Sequence, residues 1–367
     1  MMTVGKAADK TAGQGPSTAT EMAEIGSQII DPKATRVIAE LKVGKPLLRC
    51  CFDPAGKHLY TAGQDNRIWR VPVAGAKDGS EISELIGHET WVFGLAMHPE
   101  GRLLFSGGGD GNLLCWSLAE KTPKLLRKVS AHQAWIRDVA ISPDGKVAAT
   151  AGNDRVVKLW NTENGRLLQT LEGHTLDIYR VAFHPDGKQL VSGDLTARIK
   201  CWEIDSGKLI KELHAPTLHR IDKNHNLHLG GTRALAFDTK GERLAVSGLR
   251  AAPNYLGGEV QPGNVIFDFE SGEITQQQKT RDNLSTVPWE SFFQGDDTLV
   301  VSTAGKAGGH LLFWKVDAED EFHAFALPDV ARDMAIDRQR HQIATAHRDG
   351  HLRISTLLPE KSDAEIS

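Results

Sequence analysis

The sequence predicts an all-β fold: a seven-bladed β-propeller of four-stranded antiparallel blades, closed into a ring by an N-terminal strand that joins the last blade. Three observations predict it. A Pro/Gly phrase recurs at nearly constant spacing, a histidine and a tryptophan recur between its copies, and each period divides into four short runs typical of strands. Four strands in roughly 40–45 residues is the size of one propeller blade.

The recurring phrase contains Pro54, Pro99, Pro143 and Pro185, which are 45, 44 and 42 residues apart, each followed two residues later by glycine. A fifth copy, without proline, contains Gly241. Proline and glycine favour tight turns where two strands join, because the missing N–H and the unusual backbone angles do no harm there. The phrase therefore predicts the hairpin between the first two strands of each blade.

The second period shows the individual strands most clearly. Residues 92–97 and 103–106 flank the turn at Pro99, and a glycine-rich segment separates them from 112–117 and then 125–129. Short apolar or alternating runs bounded by turn residues indicate β-strands joined as hairpins. Each period is therefore expected to form one small antiparallel sheet.

The repeated residues resemble those of WD40 repeats: a Gly-His or Ala-His pair, a Pro-Asp-Gly hairpin, Ser/Thr-x-Gly-x-Asp and a tryptophan that ends a strand. In that family a His, a Ser/Thr, an Asp and a Trp form a hydrogen-bonded set inside each blade. The resemblance implies a structural role, since hydrolase triads do not occur in serial copies. The residues so implied are His88, Ser106, Asp110 and Trp116 in blade 2, His132, Thr150, Asp154 and Trp160 in blade 3, and His174, Ser192 and Trp202 in blade 4, where Thr196 occupies the expected aspartate position.

Weaker copies on both sides bring the count to seven blades. In blade 1, Trp69 is displaced by two residues from the expected place, and three further copies follow residue 234. Residues 36–41 resemble the outer strands of blades 3 and 4, so we expect them to complete the last blade and close the ring. One domain over 35–357 is predicted, with flexible tails at 1–34 and 358–367.

Composition narrows the range of functions. The net charge of −4 argues against a nucleic-acid partner, and no stretch approaches the 18 apolar residues of a membrane span. The first 20 residues lack the apolar region of a secretory signal, so a cytoplasmic location is expected. No cofactor, metal or catalytic residue is predicted. The four cysteines lie in predicted strands without metal-ligand spacing and are expected to pack as small hydrophobic residues: Cys50, Cys51, Cys115 and Cys201.

Residues just before each first strand form a candidate binding rim. Trp91 and Trp135 each follow the blade histidine by three positions, and Asp177 has the same place in blade 4. The resemblance implies that this face holds peptide or protein partners, and Trp, Tyr and Arg dominate interaction hot spots. An alternative is that the two tryptophans only cover the ends of neighbouring blades; Trp289 is a further candidate of uncertain register. The predicted partner-binding residues are Trp91, Phe93, Trp135, Arg137, Asp177, Tyr179, Arg233, Tyr255 and Arg332.

Two insertions interrupt the repeat around blade 5, at 213–230 and 249–263, and both are expected to emerge side by side on the rim face. The first contains His214, His219, His225 and His228. Their spacing allows two interpretations: surface histidines without a ligand, or a zinc site.

The sequence therefore predicts a non-catalytic scaffold that binds a protein or peptide on its loop-rich face, as a monomeric propeller within a complex. The first alternative is a propeller enzyme or metal-dependent hydrolase that uses the histidine-rich loop 213–230 and the central channel. It would need inward carboxylates or histidines from several blades, and the sequence shows no such repeated position. Nucleic-acid binding is a third, less favoured interpretation.

Overall fold

The computed structural model describes residues 30–74, 81–223, 225, 227–251, 260–281, 284–306 and 308–360. Seven four-stranded antiparallel sheets are arranged in a ring, which confirms the predicted fold class. The first strands of neighbouring blades pack against one another, which places the first strand of each sheet nearest the central axis. The helical elements in the described part of the chain are the single 3-10 turns Pro32–Ala34 and Pro216–Leu218, and no helix there could span a membrane.

The closing strand is β1 (Arg36–Lys42), and the strands of the seven blades follow it in chain order. Blades 1 and 2 contain β2 (Leu47–Phe52), β3 (His58–Gly63), β4 (Arg67–Pro72), β5 (Ser83–Ile86), β6 (Val92–Met97), β7 (Leu103–Gly108), β8 (Asn112–Ser117) and β9 (Lys124–Ser130). Blades 3 and 4 contain β10 (Ile136–Ile141), β11 (Val147–Gly152), β12 (Val157–Asn161), β13 (Leu167–Leu171), β14 (Ile178–Phe183), β15 (Gln189–Asp194), β16 (Arg198–Glu203) and β17 (Leu209–His214).

Blades 5 and 6 have longer strands, and a small hairpin precedes blade 5. The hairpin consists of β18 (His219–Asp222) and β19 (Leu227–Gly230). Blade 5 contains β20 (Thr232–Phe237), β21 (Arg243–Ala251), β22 (Gln261–Asp268) and β23 (Ile274–Lys279). Blades 6 and 7 contain β24 (Thr286–Gln294), β25 (Thr298–Gly305), β26 (Gly308–Lys315), β27 (His323–Leu327), β28 (Ala331–Asp337), β29 (Gln342–His347) and β30 (His351–Thr356).

The ring closes as the sequence predicts. β1 pairs antiparallel with β30, with Leu41 opposite Leu352. The contact also extends upstream of the predicted domain start at 35: the Asp31 N–H donates to the Leu357 carbonyl at 3.0 Å, and Ile30 packs against the core of blades 6 and 7. Residues 30–34 are therefore bound to the propeller, and the other residues of the predicted N-terminal tail lie outside the described residues.

Position within a blade determines how a strand is buried. All six residues of β7 are buried, whereas the outer strand β9 has none. The apolar core lies between blades: Tyr60 and Ile68 of blade 1 pack with Leu104 and Trp116 of blade 2. Each blade therefore depends on its neighbours for most of its apolar burial.

The two insertions meet beside blade 5. The first is a hairpin rather than the loop expected from the sequence, and the second lengthens β21 and β22, with Leu249 opposite Pro262. Gly230 lies in the hairpin at a φ of 95°, and a Cβ at this position would be 2.2 Å from the Leu218 carbonyl oxygen and 3.3 Å from that of Leu249. Glycine thus allows the hairpin to reach β21. Residues 252–259 lie outside the described residues.

Candidate partner-binding site

The hydrogen-bonded sets inside blades 2 to 4 have the geometry that the resemblance implies. In blade 3, His132 Nε2 lies 2.7 Å from Thr150 Oγ1, which also accepts the Trp160 Nε1–H at 2.9 Å, while His132 Nδ1 lies 2.8 Å from Asp154. Buried polar groups that all have partners stabilise a blade. The same bonds join His88, Ser106, Asp110 and Trp116 in blade 2.

Blade 4 corrects one expectation. Its aspartate is Asp194, at the end of β15, rather than a residue at position 196. The Asp194 carboxylate lies 2.9 Å from His174 Nδ1 and accepts the Thr196 hydroxyl at 2.6 Å. The carboxylate reaches the histidine from two positions earlier in the chain, so the blade keeps a complete set: His174, Ser192, Asp194 and Trp202.

Blade 7 builds a different set that the repeat pattern did not reveal. Thr345 Oγ1 lies 2.7 Å from His347 Nε2, so the histidine comes from the second strand rather than from the segment before the first. His347 Nδ1 lies 3.0 Å from the Asp329 carbonyl. Burial lowers the pKa of His347 to about 4. It is therefore neutral at pH 7 and acts as a structural hydrogen-bonding group.

A bulge in the first strand of every blade creates the binding rim. The pairing of each first strand with the second skips one residue, for example between Ile136 and Asp138. A bulge leaves the skipped residue out of the ladder and redirects its side chain. The seven skipped residues, one per blade, are Leu48, Phe93, Arg137, Tyr179, Arg233, Trp289 and Arg332.

These seven residues surround one cavity at the mouth of the central channel. Its volume is about 340 Å³, and Gln64, Trp91, Arg49 and Arg180 also line it. Five of the rim residues were predicted from the sequence. Leu48 was missed because leucine does not signal a binding surface, and the uncertain register of Trp289 is resolved by its bulge.

Aromatic and guanidinium groups alternate around part of the mouth. Phe93 and Trp135 stack with ring centroids 5.3 Å apart. The Arg137 guanidinium lies over Trp135 at 4.8 Å and over Tyr179 at 5.1 Å, and Arg233 covers Tyr179 at 4.9 Å. Cation–π contacts of this kind hold a guanidinium in place without neutralising its charge.

The two rim tryptophans extend outward from this mouth. Trp91 and Trp135 are each 44% exposed, and together with Phe93 and Gly109 they line a mostly apolar groove of about 200 Å³. Exposed indole rings beside an apolar groove offer contact area to a partner. Of the remaining predicted residues, Asp177 lies close to Arg137 but does not line the mouth, and Tyr255 lies outside the described residues.

Below the rim, the channel contains charged side chains from five blades. The residue after the bulge points inward, and at this position the chain has Arg49, Asp138, Arg180, Glu290 and Asp333. Arg49 lies 3.1 Å from Asp333 and 3.5 Å from Asp138, and Arg180 lies 3.1 Å from Glu290. The expectation that no repeated position supplies inward carboxylates is therefore wrong. The signal that was missed is the repeated position one residue after each rim residue.

These channel charges also hold the rim. The Arg49 guanidinium donates to the bulge carbonyls of Phe93 and Arg137, and Arg180 donates to those of Arg233 and Trp289. Each arginine thus ties its own blade to the next two. Charged donors form stronger hydrogen bonds than neutral ones, so the rim backbone is firmly positioned.

Three carboxylates share two guanidiniums in this channel layer. Burial raises the pKa of Glu290 to about 7, and the nearby Asp333 adds to the effect although Arg180 opposes it. Burial likewise raises the pKa of Asp333. Burial, together with one carboxyl group in excess of the available positive charge, accounts for a proton held near neutral pH.

The histidines of the first insertion form contacts among themselves. His219 Nε2 lies 2.9 Å from His228 Nδ1, and their rings stack with centroids 5.1 Å apart. His225 Nδ1 lies 2.9 Å from Asp222. Among the described residues, no group of three or more His, Cys, Asp and Glu side chains is placed to hold a metal ion.

Comparison with known proteins agrees with this architecture. Three segments match the family described as "WD domain, G-beta repeat": residues 79–117, 123–161 and 165–203. The chain is also 32% identical over 78 residues to nuclear distribution protein PAC1 of Scheffersomyces stipitis, and 35% identical over 92 residues to nuclear distribution protein PAC1-1 of Uncinocarpus reesii. These matches cover 17% and 20% of this chain and 15% and 21% of the relatives. The chain is therefore a seven-bladed β-propeller in which three segments match WD40 repeats.

Proposed function

We propose that the chain is a non-catalytic scaffold that binds a protein or peptide partner on its rim face. The observation that carries the proposal is the pair of half-exposed tryptophans, Trp91 and Trp135, beside a mouth lined by arginine and aromatic side chains. Large aromatic residues at the surface of a rigid fold are the typical anchors of an interface.

The rim is rigid in a way that suits binding. Each rim residue sits on a bulge of an inner strand, and two buried arginines hold four of the bulge carbonyls. A partner would therefore meet side chains that are already ordered, which lowers the entropic cost of association. The names of the relatives associate those proteins with nuclear distribution; the short matches support a shared repeat type and do not transfer that role.

The proposal is tested by capture of partners on the immobilised chain from a lysate of its native organism. Trp91→Ala combined with Trp135→Ala should reduce the recovery of a stoichiometric partner about tenfold or more, because it removes two anchors. The melting temperature should change little, since both side chains are half exposed.

A matched control separates the rim from other exposed apolar surface. Leu126 and Leu168, on the outer strands of blades 2 and 3, are 48% and 44% exposed. Replacing both with alanine should leave recovery unchanged. Loss of the partner in this variant, with retention in the tryptophan variant, would place binding on the circumference and contradict the proposal.

The expectations of a cytoplasmic location and of a monomer within a complex stay predictions, which cell fractionation and light scattering would test. The metal-dependent hydrolase alternative also stays a hypothesis. Metal analysis of untagged protein would test it, and stoichiometric zinc or manganese would favour it.

A further inference from the structure

We propose that the mouth of the channel binds a carboxylate side chain, Asp or Glu, presented by a peptide segment of the partner. The inference rests on the proposed function, because it specifies the chemistry of the partner at the same face. It is carried by three features of the mouth: unneutralised guanidinium groups, buried donors without acceptors, and the size of the cavity.

The charge of the rim comes from Arg137, Arg233 and Arg332. Among the described residues, no carboxylate lies within ion-pair distance of any of the three. The deeper Arg49 and Arg180 differ, since both are paired with carboxylates. Burial lowers the pKa of Arg137, Arg233 and Arg332, which marks guanidiniums that have lost water without gaining an ionic partner.

Two buried donors at the mouth have no acceptor. Arg233 Nε and Trp289 Nε1 are both inaccessible and unpartnered, and both residues line the cavity. Buried polar groups are normally hydrogen-bonded, so donors left unpartnered on two residues that line one cavity favour a ligand that supplies acceptors. A carboxylate supplies acceptors only and suits the planar fork of a guanidinium.

The balance of charge around the mouth favours a carboxylate over a dianionic phosphoryl group. Asp177 acts on Arg137, opposing the larger effect of burial on its pKa, and Asp329 opposes the effects of burial and of Arg348 on the pKa of Arg332. Arg348 pairs with Asp329 at 3.6 Å, and the channel layer below the mouth has one carboxyl group in excess of its arginines. Counted by formal charge, these groups leave the mouth with a net charge of about one positive unit. A singly charged carboxylate compensates that charge, whereas a phosphoryl group of roughly −1.5 to −2 exceeds it.

The size and lining of the cavity indicate a single side chain from a peptide. A volume of about 340 Å³ admits one side chain with its flanking backbone. It is too small to admit the surface of a folded protein. The adjacent groove between Trp91 and Trp135 offers apolar contact to the residues that flank the acidic side chain. Recognition of acidic motifs by arginine clusters follows the same chemistry.

The test uses the full chain and pools of labelled dodecapeptides with randomised flanks and one fixed central residue: Glu, Gln, Lys, Ser or phosphoserine. The Glu pool should be retained at least fivefold more than the Gln pool at low salt, and the difference should shrink as salt increases. Arg137→Gln combined with Arg233→Gln should abolish the preference. Arg332→Gln, at a more exposed position, should weaken the preference for the Glu pool. This variant replaces the double variant in the test if the double variant does not fold.

The control is Arg166→Gln, at an exposed arginine in the β12–β13 turn on the opposite face, which should keep the full preference. Equal retention of the Glu and Gln pools would overturn the carboxylate proposal, and so would stronger retention of the phosphoserine or Lys pool. If no pool is retained while the tryptophan-dependent partner is still captured, the carboxylate proposal fails and the scaffold function stands. Loss of both would contradict the proposed function itself.

Discussion

Blade 4 shows how a polar network can keep its chemistry while changing the residue that supplies it. Burial alone would raise the pKa of Asp194, but hydrogen bonds from His174 and Thr196 bring the pKa below its ordinary value. The carboxylate is 1% exposed and also accepts the Thr196 and Arg198 backbone N–H groups at 2.8 and 3.2 Å. Asp194 therefore connects the histidine to the turn between β15 and β16.

Substitution of this carboxylate should cost more than loss of the residue at the expected motif position. Asp194→Ala should lower the free energy of unfolding by about 2–3 kcal/mol, because His174 and two backbone N–H groups lose a charged acceptor. Thr196→Val should cost less than about 1 kcal/mol, since it removes a single hydroxyl. Chemical denaturation measures both, and the reverse order would show that position 196 carries the network.

At the scale of elements, the bulge and the closing strand matter most. The bulge is one extra residue in each inner strand, and it converts seven separate positions into one ring of side chains. Alignment of the repeats predicted five of these residues. Leu48 and Trp289 could be placed only once the strand register was known, because leucine does not signal a binding surface and the repeat alignment left the register of blade 6 uncertain.

The closing strand should be essential to stability. A chain that begins at residue 43 loses β1, its pairing with β30, and the ion pair between Arg353 and Glu40. It should melt roughly 10 °C or more below the full chain, and the free edge of β30 should promote association. A chain that begins at residue 30 keeps every described contact of β1 and is the control. Equal melting of the two truncated chains would contradict closure by β1.

At the scale of the whole molecule, the ring places charges from blades 1, 3, 4, 6 and 7 on one axis. Glu290 faces Arg49, Arg180, Asp138 and Asp333 there, while the equivalent positions of blades 2 and 5 are Gly94 and Ala234. Its folded-state pKa of about 7 exceeds the ordinary value of 4.5. The folded state thus binds more protons between these pH values than the unfolded state.

Stability linked to Glu290 should therefore be greatest below about pH 4.5 and should decline as pH rises to about 7. Glu290→Gln removes this decline. The variant should match the wild type below about pH 4 and be more stable by about 3 kcal/mol at pH 8, because the pKa rises from 4.5 to about 7 and each pKa unit is worth about 1.36 kcal/mol. Denaturation at both pH values tests this. A variant less stable than wild type at pH 8 would mean that the ionised carboxylate is net stabilising.

Local repetition was enough to predict the blades, the closing strand and the chemical character of the rim. Turn residues, strand length and the spacing of His and Trp are determined within one blade, so they can be recognised in the sequence. The convergence of Leu48 and Trp289 on the mouth, the charged layer around Arg49, and the use of Asp194 and His347 in the polar sets arose from three-dimensional packing. Some of these features bring together residues from different blades, and others use a different chain position to supply the same hydrogen bond to a histidine. Spacing along the chain does not specify which of these side chains meet, because their contacts form only when the ring closes.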